Sequence, residues 1–101
     1  MTTKRFYRRR FLNRRGFHAG AYVIADCRVD TFRSRDGLTH HSIDADITIS
    51  DCGRIATLDF AINSEPAAQN ALHKARLLRD VLIDFTDALE AAVSQWRELN
   101  N

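Results

Sequence analysis

The last third of the chain, Glu65 to Leu99, most constrains what this sequence can fold into. Stepping by three and four gives Ala68, Ala71, Ala75, Leu78, Leu82, Phe85, Leu89, Ala92, Trp96 and Leu99, with no Gly or Pro after Pro66. That unbroken apolar stripe predicts one long amphipathic helix. At about 1.5 Å per residue it would run roughly 50 Å. Ser64 or Asn63 supplies an N-cap, and Glu65 and Pro66 suit a first helical turn.

Upstream, the period changes to two. From Phe17 to about Ser34, Ala19, Ala21, Val23, Ala25, Cys27 and Val29 form a small apolar face. His18, Tyr22, Ile24, Asp26, Arg28, Asp30 and Phe32 form the other. A second run alternates Ile43, Ala45, Ile47 and Ile49 with Asp44, Asp46, Thr48 and Ser50. A third puts Ala56, Leu58, Phe60 and Ile62 opposite Ile55, Thr57, Asp59 and Asn63. Each reads as a strand with one face toward a core.

Face parity tests the connections, because a one-residue slip turns a strand's side chains over. A two-residue Asp36-Gly37 turn would set Val29 on the same face as Asp44. A three-residue loop Arg35-Asp36-Gly37, with Gly37 left-handed, keeps Val29 with the isoleucines. Between the second and third runs core positions switch from odd to even, which needs an even loop. Asp51-Cys52-Gly53-Arg54 provides four residues.

The predicted fold is therefore α+β: a three-stranded antiparallel meander packed on one long C-terminal helix. The N-terminal arm is available as a fourth strand. A chain of 101 residues, 45% of them hydrophobic, suits a single β-β-β-α domain over residues 16–101 behind an arm of residues 1–15. No apolar run is long enough for a membrane span, and no apolar segment follows the basic N-terminus as in a secretory signal. Cys27 and Cys52 are too few for a disulfide scaffold, so reduced thiols and a cytoplasmic setting are expected.

The net charge of +2 conceals a division. Lys4, Arg5, Arg8, Arg9, Arg10, Arg14 and Arg15 place seven cations and no acid in the first 15 residues. The rest holds eight cations against all 13 acids, a net of −5. In the arm, Phe6, Tyr7 and Phe11 interleave with arginines, a pattern that grips phosphates while rings stack on bases. Two other readings stand beside it: a first strand whose arginines neutralise the acidic body, and a contact segment for an acidic protein. Arg76 and Arg79 could join the arm around an anionic ligand, with Phe6, Tyr7 or Tyr22 stacking on its base. Pairing with acids across a helix interface is the alternative for those two arginines.

Two surfaces are left over. One helix covers one sheet face, which leaves Tyr22, Ile24, Phe32 and Ile55 on the other, available to the arm, to a second copy or to a partner. Along the helix, Lys74, Arg76 and Arg79 precede Asp80, Asp84, Asp87 and Glu90, an order that opposes the helix dipole. An antiparallel pair would set each basic half against an acidic half. A homodimer or larger even oligomer through Leu82, Phe85, Leu89 and Trp96 is therefore expected.

Catalytic and metal patterns are weak. Asp44 and Asp46 share a face with Asp26, Asp30 and Asp59, yet they alternate with core positions as solvated acids do. His18, His40, His41 and His73 with the two cysteines lack zinc-ligand spacing. No base can be assigned to Cys52, and no phosphate-loop or triad motif occurs. Neither an enzyme nor a cofactor is expected.

Three stretches together resemble small accessory proteins of bacteriophages and integrated mobile elements. They are Phe11-Leu12-Asn13 with Gly16-Phe17-His18, Ser50-Asp51-Cys52 leading to Leu58-Asp59-Phe60, and Asn70-Ala71-Leu72-His73-Lys74. The resemblance implies a setting in the host bacterial cytosol and a non-enzymatic inhibitor of a bacterial defence system. Such an inhibitor would bind a nucleotide messenger or a defence effector protein. The alternative is an RNA- or DNA-binding regulator using the arm.

Overall fold

The computed structural model describes residues 5–101. Four strands and one helix follow in order: β1 (Phe6–Phe11), β2 (Tyr22–Arg33), β3 (Thr39–Asp51), β4 (Arg54–Asp59) and α1 (Glu65–Leu99). The strands form one antiparallel sheet in sequence order, β1-β2-β3-β4. The arm is therefore the fourth strand. The chain divides into two compact units, residues 1–71 and residues 72–101.

The centre of the sheet is the β2–β3 hairpin, paired from Tyr22↔Ser50 to Arg33↔Thr39. Its turn is the expected three-residue loop. Ser34 N donates to Leu38 O at 2.9 Å, Gly37 N donates to Ser34 O at 3.0 Å, and Gly37 has φ +82°. The Asp36 carboxylate accepts from the Ser34 hydroxyl and from Leu38 N, which closes the turn from its side-chain side. Val29 accordingly pairs with Ile43, and Asp44 falls opposite Arg28.

The β3–β4 connection is tighter than the sequence suggested. Asp51 pairs with Arg54, so only Cys52 and Gly53 form the loop, at φ +50° and +83°. Two successive left-handed residues make a type I′ turn, whose twist matches the flanking strands. Parity is preserved because two, like four, is even. Beyond Asp59 the pairing continues in the same register, with Phe60 N donating to Ala45 O and Ile62 bridged to Ile43.

The first run of alternation also begins later than Phe17. Strand β2 starts at Tyr22, and residues 12–21 form a loop whose Gly16, at φ +95°, turns the chain between Arg14 and Phe17. Helix α1 starts where the capping residues place it: Ser64 Oγ accepts from Ala67 N at 3.3 Å.

Among the described residues up to 71, the buried apolar side chains are Ala21, Phe60 and Ala71, and Ser50 is buried and polar. Val23, Ala25, Val29, Ile43, Ala45, Ile47 and Leu58 are half-buried on the apolar sheet face. In residues 72–99 no described helix residue is buried.

A non-glycine at φ +50° carries strain of about 1–2 kcal/mol that Asn tolerates better. Cys52→Asn should therefore raise stability by up to about 1 kcal/mol in a denaturant melt of the whole chain. An unchanged or lower midpoint would contradict the turn assignment.

Candidate nucleic-acid interface

Strand β1 is an outer strand, paired on one side only, from Phe6↔Cys27 to Phe11↔Tyr22. The bond from Leu12 N to Ala21 O, 2.9 Å, lies in the same register. Hydrogen-bonded pairs alternate along an antiparallel ladder, so the main chain of residues 6, 8 and 10 faces β2. The main chain of residues 7, 9 and 11 faces outward.

Those outward carbonyls are met by the strand's own arginines. Arg8 Nη1 donates to Tyr7 O at 2.9 Å, and Arg10 Nη1 donates to Arg9 O at 2.8 Å. Both side chains start on the apolar sheet face and fold round to the edge. The edge thus carries a row of guanidinium groups, which blocks pairing with another strand. Ring contacts order the same segment: Arg8 lies 4.8 Å from the Phe6 ring centre, Arg5 5.2 Å from Tyr7 and Arg9 5.7 Å from Phe11.

Arg5 anchors the strand. Its Nε donates to Asp26 Oδ1 at 2.9 Å and its Nη2 to Asp26 Oδ2, a bidentate pair between β2 and the residue before β1. This hydrogen bonding holds the Asp26 carboxyl below its ordinary pKa. Among the described residues, Arg8, Arg9, Arg10, Arg14 and Arg15 have no carboxylate partner. Arg14 and Arg15 sit in the turn that follows the strand. Five exposed cations thus extend along one edge and its adjoining loop, beside the exposed rings of Phe6, Tyr7 and Phe11.

The polar sheet face is acidic. Asp26, Asp46 and Asp59 stand directly opposite one another across β2, β3 and β4, an arrangement that costs repulsion. Arg5 offsets it at Asp26. Next to this row, Arg28 lies 3.5 Å from both Asp30 and Asp44. The Asp44 carboxyl beside it pushes the pKa of Asp30 up, while that of Asp44 is held down by its interaction with Asp30 and by the Arg28 guanidinium. A cleft of about 300 Å³ runs along these groups. Among the described residues, no group of three or more carboxylates, imidazoles or thiols converges to hold a metal ion.

The other expected site residues are distributed as follows. Tyr22 and Ile24 are half-buried, because β1 sets Phe11 and Arg9 opposite them. The arm, one of the covers that the sequence allows for this face, therefore occupies part of it. Phe32 remains exposed and stacks on His40 at 5.2 Å. His40 also meets Ser34 Oγ, while His41 points to the other face and meets Thr31 Oγ1. Arg76 and Arg79 are exposed in the helical unit, with Arg79 3.0 Å from Asp80. Leu82, Phe85, Leu89 and Trp96 are exposed on the same helix. Lys4 lies outside the described residues.

A cluster that periodicity does not reveal joins the loop to the β3–β4 turn. Asn13 Nδ2 donates to His18 O at 2.7 Å, Gly20 N donates to His18 Nδ1 at 3.0 Å, and Cys52 Sγ lies 3.9 Å from that nitrogen. Ser50 Oγ donates to Gly20 O at 3.3 Å. A Cβ at Gly20 would come within 2.4 Å of the His18 ring, so any other residue there must displace that ring. Asp51 pushes the Cys52 thiol above its ordinary pKa, which opposes formation of a nucleophilic thiolate. These contacts hold the basic loop against the sheet.

Comparison of the chain with family models, with curated proteins and with solved structures finds no match.

Two measurements check this site. In a carboxyl ¹³C titration, Asp26 should protonate below the ordinary aspartate value of about 3.9, and Arg5→Ala should return it upward. By linkage, a depressed carboxyl stabilises the fold above its unfolded pKa, and that contribution disappears as pH falls through the folded value. Gly20→Ala should lower stability by about 1 kcal/mol, the value of the lost Gly20–His18 hydrogen bond. A neutral outcome would show the loop contact to be dispensable.

Proposed function

We propose that this protein acts by binding, without catalysis, and that its ligand is single-stranded nucleic acid held along β1 and the following turn. The observation that carries the reading is the row of arginines without carboxylate partners, interleaved with exposed rings on an outer strand. Six strand residues span roughly 20 Å at about 3.3 Å each. An extended polyanion can meet such a row, whereas a mononucleotide needs groups converging on one pocket. Guanidinium groups supply bidentate phosphate contacts and flat surfaces for base stacking.

A second reading has its own support. Phe32 and Ile55, exposed on the sheet face that also carries Tyr22 and Ile24, suit a protein partner. A phage-type inhibitor that seats a bacterial defence effector there would use that face and tolerate loss of the arginine row.

Binding of labelled oligonucleotides across a salt series separates the two. If Arg8, Arg9, Arg10, Arg14 and Arg15 each neutralise one phosphate, log K against log[salt] should fall with a slope of about −3.5 for a single strand. Changing Arg8, Arg9 and Arg10 to Ala should flatten the slope to about −1.4 and weaken binding to all sequences alike. Saturable binding of a mononucleotide or small cyclic nucleotide, independent of polymer length, would replace this reading with a messenger sponge. No nucleic-acid binding at low salt would move the assignment to the effector inhibitor.

A further inference from the structure

We infer that residues 75–99 of α1 form an antiparallel coiled coil with the same segment of a second copy of this chain. The apolar positions Ala75, Leu78, Leu82, Phe85, Leu89, Ala92, Trp96 and Leu99 alternate steps of three and four without a slip. A strict 3.5-residue repeat specifies a seam for another helix, since it keeps the same narrow edge facing its partner over successive heptads. A helix bound to a sheet needs no such constancy. In the helical unit these side chains lie open: Leu82, Phe85, Leu89 and Trp96 are 52%, 60%, 50% and 62% exposed. Val81, Ala88 and Val93 widen the apolar edge on its two flanks.

Side-chain size identifies the occupant and its direction. Aligned antiparallel with itself, the seam pairs Ala75 with Leu99, Leu78 with Trp96, Leu82 with Ala92 and Phe85 with Leu89. Each Ala then meets a Leu, and Trp96 meets neither itself nor Phe85. A parallel pair would put Ala75 on Ala75, Ala92 on Ala92 and Trp96 on Trp96, leaving voids at two layers and crowding a third. The charges agree. A parallel pair would also lay Lys74, Arg76 and Arg79 alongside their own copies, while the antiparallel pair sets them level with Asn100, Glu98 and Gln95. Asp84, Asp87 and Glu90 occupy heptad positions pointing away from the seam in either case. The surface is thus complementary to itself under a twofold axis, the requirement for an isologous dimer.

The test begins with sedimentation equilibrium of the full chain, where the expected mass is twice 11.6 kDa. Orientation is then read in chains carrying Cys27→Ser and Cys52→Ser, with Leu82→Cys in one preparation and Ala92→Cys in another. Oxidation of the mixture should give a disulfide between the two kinds of chain. Leu82→Cys alone should give none, because its copies would sit about ten residues, roughly 15 Å, apart along the seam. A one-chain mass at ~100 µM would overturn the inference, as would a Leu82→Cys homodisulfide or an assembly that forms no disulfide in the mixture.

Discussion

The register of the β2–β3 hairpin is the constraint on which the rest of the sheet depends. Twelve residues of β2 pair in sequence with β3, and the Arg35-Asp36-Gly37 loop sets where that pairing starts. Shifting it by one residue would carry Asp44 and Asp46 onto the face of Val23 and Val29. With the register fixed, Val23, Val29, Ile43, Ile47 and Ile49 share one face and Asp26, Asp30, Asp44 and Asp46 the other. Strands β1 and β4 then inherit their faces from the hairpin they flank.

The acidic face in turn explains why the basic arm belongs to the sheet. Asp26 stands in a cross-strand row of three carboxylates, and Arg5 relieves it through a bidentate contact. That anchor lets Arg8 and Arg10 fold over the open edge and satisfy its carbonyls. Consequently the strand that completes the sheet also carries its densest positive charge. Arg5 and Arg28 are paired with carboxylates of the polar face, whereas Arg8, Arg9 and Arg10 of the same arm have no carboxylate partner among the described residues.

Much of this was legible in the sequence because period and parity are strong signals. The bounds of α1, a cap at Ser64 or Asn63, the Gly37 turn and the face shared by Val29 and the isoleucines of β3 all follow from residue spacing. The β3–β4 turn was less visible, since Cys rarely occupies a left-handed position and four residues satisfy parity as well as two. The arm gave no strand register, because arginines and rings at successive positions leave no apolar alternation to align. Its pairing, and with it the partial cover of Tyr22 and Ile24, emerges only from the contacts with Asp26 and β2. The Asn13–His18–Cys52 cluster was hidden for a related reason: it joins a loop to a turn, where no periodicity operates.

The arginine-rich arm is a strand whose outer edge pairs with no other strand. Amide hydrogen exchange at residues 6–11 of the free protein, resolved by NMR, tests it most directly. Alternation is expected, with Arg8 and Arg10 protected by bonds to β2 and Tyr7, Arg9 and Phe11 exchanging freely. Uniformly fast exchange through the segment would show an unpaired tail, with no β1 strand.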